Sequence, residues 1–135
     1  MPTKKRFPVP AYPPSIAETF AFLFESANPH TPLRQLESEL ARYKERILSL
    51  KERLAPHHFK TGLALYDRAL ALIKPMELYS QDQRILVIAA VTYLVRQQDG
   101  IDDQRPIVGF EDDVKIINHV LEELEMFSYF ILPAR

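Results

Sequence analysis

The sequence predicts an all-α chain of about five helices, and three observations point to that class. Apolar residues recur at spacings of three and four, no segment alternates apolar and polar residues long enough for a sheet, and only 3 glycines interrupt the pattern. With 135 residues, 47% of them hydrophobic and 26% charged, the chain is sized for one domain with its own core. No internal repeat divides it further.

Residues 1–14 form a tail in this reading. Pro2, Pro8, Pro10, Pro13 and Pro14 exclude a helix there and favour extended, polyproline-like chain, with Phe7 and Tyr12 as candidate anchors of a strap across the domain of residues 15–135. The basic cluster Lys4, Lys5 and Arg6 is followed by prolines where a signal peptide would need a continuous apolar run, so secretion is not expected.

The first helix is announced by Ser15 with Glu18 three residues on, a capping-box pattern, and carries Ile16, Phe20, Leu23 and Phe24 before stopping ahead of Asn28 and Pro29. Thr31 as N-cap and Pro32 in the first turn predict the start of a second helix. Its apolar positions Leu33, Leu36, Leu40, Tyr43, Ile47, Leu50 and Leu54 make a stripe about three heptads long. Pro56 breaks the run, and a third helix repeats the pattern at Phe59, Leu63, Tyr66, Leu70 and Ile73. A connection this short predicts a central antiparallel hairpin with the two stripes buried on each other.

Ser80 with Gln83 opens the fourth helix, which runs through ILVIAAVTYLV, residues 85–95, to about Arg96. That apolar run is shorter than the roughly 18–20 residues a bilayer-spanning helix needs and predicts a core helix instead. The fifth helix is expected from about Asp112 to Met126, with Val114, Ile117, Val120, Leu121 and Leu124 facing inward. FSYFIL, residues 127–132, either prolongs it or packs separately. The fourth and fifth helices make a C-terminal pair joined by an acidic loop.

Composition excludes several classes of function. The 17 Lys and Arg against 18 Asp and Glu give no basic field, so neither nucleic acid nor a membrane surface is an expected partner. The lack of Cys removes disulfides and thiolate zinc sites and fits a reducing, cytoplasmic setting. No Cys nucleophile, GxSxG elbow, phosphate-cradling GxxxxGK[ST] or HExxH is present. His57 and His58 stand at a helix start, where such a pair is turn chemistry rather than a ligand set. Asp112 and His119 share a helix face but are separated by roughly 10 Å of rise, too far to ligate one ion together.

The segment DGIDDQRPIVGFEDD, residues 99–113, gathers six carboxylates: Asp99, Asp102, Asp103, Glu111, Asp112 and Asp113. These are hard oxygen donors of the kind Ca²⁺ or Mg²⁺ prefers, although their order is not that of an EF-hand loop. The competing account is structural. Asp112 or Asp113 caps the fifth helix, while Pro106 and Gly109 supply the fixed and the permissive backbone angles of a tight turn.

Residues 85–124, and above all YLVRQQDGIDDQRPIVGFEDDVKIINHVLEEL, resemble the YkvA-like family of small, mainly bacterial helical proteins. Asp99, Ile101, Asp103, Pro106, Gly109, Asp112 and Asp113 fall on its DxIPDxxPxxGxxDD pattern, with Asp102 replacing the usual proline. The resemblance implies an all-helical fold and no particular substrate or cofactor. Two functional expectations follow from the residues. The first is a non-enzymatic interaction or adaptor module that binds a protein partner or self-associates and uses residues 99–113 as a clasp. The second is a divalent-metal-binding protein or metal-dependent hydrolase built on those carboxylates.

Overall fold

A computed structural model describes residues 14–99 and 111–126 of the chain. They form five α-helices and no strand: α1 Pro14–Ser26, α2 Leu33–Ser49, α3 Pro56–Ile73, α4 Gln81–Asp99 and α5 Glu111–Glu123. Short 3₁₀ turns, Lys51–Arg53 and Met76–Leu78, join α2 to α3 and α3 to α4. Of the strap expected from residues 1–14 only Pro14 is described, and it is helical; the rest of it, the turn expected at Ile101, Pro106 and Gly109, and FSYFIL at 127–132 lie outside the described residues.

α4 is the axis of the bundle. It touches α1, α2, α3 and α5, and the run from Leu86 to Val91 is buried without interruption, as are Tyr93, Leu94 and Val95. A helix apolar on every side is stable only when covered on every side, and four neighbours supply that cover. No helix among the described residues is long and apolar enough to cross a membrane. The predicted capping box closes its start: the Gln83 N–H donates to Ser80 Oγ at 3.2 Å and the Ser80 N–H donates to Gln83 Oε1 at 2.9 Å. Two orphan donors are satisfied reciprocally.

α2 and α3 form the predicted antiparallel hairpin. Lys44 lies over the Tyr66 ring at 5.0 Å and Lys51 over the Phe59 ring at 5.6 Å. One pairing steps seven residues forward along α2 and seven backward along α3, which fixes the sense. The stripe Leu36, Leu40, Tyr43, Ile47, Leu50 and Leu54 is buried throughout and only its Leu33 stays 37% exposed, although α2 ends at Ser49 and Leu50 and Leu54 flank the 3₁₀ turn Lys51–Arg53.

On α3 the buried face is rotated from the expected one. Gly62, Leu65, Ala69, Leu72 and Ile73 face the core, while Phe59, Leu63, Tyr66 and Leu70 are half-buried along its margin. The segment LALYDRALALI is apolar on both sides, so two stripes satisfy the helical period and packing chooses between them.

α1 is helical from the first described residue, Pro14, and the start of α2 differs from expectation. α2 is capped by Pro32 (φ −65°, ψ 141°), not Thr31, and the Pro32 carbonyl accepts the N–H groups of Gln35 and Leu36. Thr31 is engaged elsewhere: its hydroxyl and N–H both donate to the Asn28 carbonyl, at 2.7 and 3.0 Å, while Asn28 Oδ1 accepts the His30 N–H. Asn28 thereby turns the chain between α1 and α2.

α5 ends earlier than Met126. The Met126 N–H donates to the Leu121 carbonyl at 2.8 Å and the Glu125 N–H to the Glu122 carbonyl at 3.0 Å, with Glu125 at φ 61°. This is a Schellman closure in which a glutamate holds the left-handed position usually given to glycine. Met126 packs back on the core, so the terminus is pinned at both backbone and side chain.

Candidate functional site

The acidic segment enters the described structure at its two ends. Asp99 is the last residue of α4, and Glu111, Asp112 and Asp113 are the first three of α5. Asp102 and Asp103 lie outside the described residues. Glu111, Asp112 and Asp113 are all helical in the described backbone, and the residues just before them, where the cap expected of Asp112 or Asp113 would be decided, lie outside the described residues.

Asp113 is turned inward. It is 5% exposed, on the side of α5 that also buries Ile116, Ile117, Val120 and Leu121. Helical spacing accounts for this, because Asp113 precedes Ile116 and Ile117 by three and four residues and shares their face. The carboxylate acts electrostatically on Tyr43 of α2, itself 1% exposed. Burial first, and the negative charge of Asp113 second, push the Tyr43 hydroxyl far above the ordinary phenol range. It therefore stays a neutral O–H donor throughout the physiological range.

That donor is spent on α3. Tyr43 Oη donates to the Gly62 carbonyl at 2.9 Å, in a buried position where Gly62 has no side chain to keep the two helices apart. Glycine inside a helix costs about 1 kcal/mol relative to alanine, so close approach is its compensation here. A buried polar node thus joins the middle of α2 to the middle of α3, within electrostatic reach of Asp113 in the first turn of α5.

His119, 6% exposed, is the second buried polar side chain of α5 and meets the Phe20 ring of α1 edge-on, with centroids 6.3 Å apart and planes at 81°. Edge-on aromatic contact of this kind is favourable beyond the area it buries. α5 packs chiefly on α4 and α3, and the edge contact of His119 with Phe20 adds a link to α1. A second tyrosine latch lies at the far end of α3, where Tyr79 Oη donates to the Leu72 carbonyl at 2.6 Å and Arg84 Nε donates to the Met76 carbonyl at 3.0 Å. Burial pushes the Tyr79 hydroxyl up to about 12.

Among the described residues no three His, Asp or Glu side chains converge as ligands of one metal ion. His57 and His58 sit in the first turn of α3 with ring centroids 4.1 Å apart and remain a local pair. A cleft of about 180 Å³ opens between α1, α2 and α4, floored by Leu23, Leu36 and Ile88 and rimmed by Asn28, Gln35 and Glu39. It is smaller than the roughly 300–1,000 Å³ of small-molecule sites.

The Tyr43–Gly62 node and the buried His119 are what sequence reasoning missed. The isolated glycine inside an apolar helix was the signal for Gly62. The three-and-four spacing of Asp113 to the isoleucines was the signal for the inward carboxylate. No family model matches the chain, and no curated protein and no solved structure matches it either.

Proposed function

We propose that this chain is a non-enzymatic helical interaction module in which residues 99–113 act as a clasp that docks α5 onto the α2–α3 hairpin. The observation that carries the proposal is the position of Asp113. The last of the segment's carboxylates is turned to the interior, on a face shared with the isoleucines of α5 and within electrostatic reach of Tyr43, instead of being presented to solvent. A docking element needs such an anchor, whereas an ion site needs its oxygens aimed at a common point. The cleft between α1, α2 and α4 has the size of one partner side chain, which suits a protein-binding surface.

The same proposal places the chain in the cytoplasm and groups its residues 85–124 with the YkvA-like pattern. Thermal unfolding with and without millimolar Ca²⁺ or Mg²⁺ tests it. A flat titration, with Asp113→Ala destabilising in either condition, supports the clasp. An ion-dependent rise of several degrees replaces it with the metal-binding alternative.

A further inference from the structure

The cleft between α1, α2 and α4 has an apolar floor and a rim rich in hydrogen-bond acceptors. Leu23, Leu36 and Ile88 supply the floor. On the rim, two hydroxyl protons are already committed to the backbone: Ser26 Oγ donates to the Phe22 carbonyl and Thr31 Oγ1 to the Asn28 carbonyl, both at 2.7 Å. What those oxygens keep for an occupant is lone pairs. Thr92 of α4, half-buried, adds a hydroxyl that makes no hydrogen bond among the described residues.

Among the described residues that line the cleft, Glu39 is the only ionisable one. It is half-buried, and the Gln35 side-chain amide donates to its Oε2 at 3.3 Å. No cation among the described residues pairs with it. The end of α1 at Ser26 and the start of α2 at Leu33 bring dipole ends of opposite sign beside the cleft, so Glu39 sets the sign of the charge it offers.

We infer that this cleft takes a lysine side chain of a protein partner, the aliphatic stem on the floor and the ammonium against Glu39 and the rim hydroxyls. This rests on the interaction-module reading and gives its partner a chemistry.

The cleft selects that occupant over the others. An apolar side chain would match Leu23, Leu36 and Ile88 but would cut Glu39 off from water with no compensating charge. An acidic one would be repelled by Glu39. Lysine has the matching division, a methylene stem that lies along apolar surface and a head with donors only. Arginine carries the same charge, but its planar fork is best used on both oxygens of one carboxylate, and Gln35 already holds one of the two at Glu39. The other acceptors stand apart, at the end of α1, in the turn before α2 and on α4, which suits an ammonium whose donors point in different directions.

Amide-detected NMR of the full chain, titrated with Nα-acetyl-lysine methylamide, reads the site directly. Saturable shifts centred on the amides of Thr31, Gln35, Glu39 and Thr92 are expected, with a dissociation constant on the order of millimolar for one side chain taken out of its interface. The norleucine analogue, which keeps the stem and lacks the ammonium, should bind about tenfold more weakly or not at all. Glu39→Gln should weaken the lysine probe by about the same factor, with far-UV circular dichroism unchanged. The probe series on the wild-type chain decides the question even where the variant is destabilised. Absent shifts at these amides overturn the proposal, as does a norleucine or arginine analogue that binds as tightly as lysine, or a folded Glu39→Gln chain that binds unchanged. Those results leave the clasp standing, because it is decided by Asp113 and the ion titration. An ion-dependent rise in midpoint would overturn the clasp and leave the lysine titration as it is.

Discussion

Replacing Tyr43 by Phe deletes one oxygen from the middle of the hairpin and leaves the ring in place. The Tyr43 hydroxyl donates to the Gly62 carbonyl at 2.9 Å in a position 1% exposed, and a buried neutral hydrogen bond contributes about 0.5–1.5 kcal/mol net. The Gly62 carbonyl also belongs to the ladder of α3, so it is not orphaned and the larger penalty of an unsatisfied acceptor does not apply. The vacated space of one oxygen adds about 0.3 kcal/mol at the usual cost per cavity volume. Tyr43→Phe should therefore cost about 1–2 kcal/mol.

For 135 residues, at roughly 2.1 cal/mol/K of unfolding entropy per residue, that is a fall in Tm of roughly 3–7 °C. Urea unfolding followed by circular dichroism should show a lower midpoint with an unchanged slope. The same variant carries a pH signature. Above pH 10 an unfolded tyrosine ionises while buried Tyr43 keeps its proton, so stability falls as pH rises, by at most about 1.4 kcal/mol per pH unit for that group. Tyr79 adds a smaller contribution between pH 10 and about 12, reduced by its partial contact with solvent. The Phe variant should lose the Tyr43 share and show a shallower alkaline limb. A midpoint unchanged to within about 0.3 kcal/mol, together with an unaltered alkaline limb, would refute the node.

Leu40, fully buried in the α2 stripe, should cost about 2–5 kcal/mol when cut to Ala, and a loss below half a kcal/mol in the same urea assay would place it outside the core. Ser80→Ala removes one half of the capping box at α4 and should cost about 1 kcal/mol, read as a matching drop in thermal midpoint. Glu125→Gly acts in the opposite direction. It relieves a left-handed residue at φ 61° and should stabilise the chain by roughly 0.5–1 kcal/mol, whereas a destabilised variant would show that the glutamate side chain outweighs its backbone strain.

Elements with one unambiguous signal were legible in the sequence. The Ser80 and Gln83 pair marks the start of α4 because its mechanism needs only those two side chains at that spacing. The α2 stripe was legible because charged residues fill its other faces and leave one direction for burial. α3 was half legible. Its leucines and alanines surround the helix, so periodicity fixed the helix but not its rotation, and Leu65 with Ala69 won the core over Leu63 with Leu70. The start of α2 was misplaced because the Thr31 hydroxyl donates to the Asn28 carbonyl and accepts no N–H from the first turn of α2. At the candidate site the six carboxylates were obvious, but composition treats Asp112 and Asp113 alike. Only the three-and-four spacing to Ile116 and Ile117 separates the second of them, and it points inward.

The clasp and the ion site give opposite signs in one experiment, the thermal unfolding of wild type and Asp113→Ala with and without millimolar Ca²⁺ and Mg²⁺. If Asp113 anchors the first turn of α5, its loss costs about 1–2 kcal/mol from the helix-dipole and buried polar contacts, and the ions change neither midpoint. If the carboxylates await an ion, the wild-type midpoint climbs with ion concentration, and removing one negative charge stabilises the ion-free chain by relieving repulsion. A flat titration with a destabilised variant is the predicted result; an ion-dependent rise of several degrees that the variant loses would contradict it.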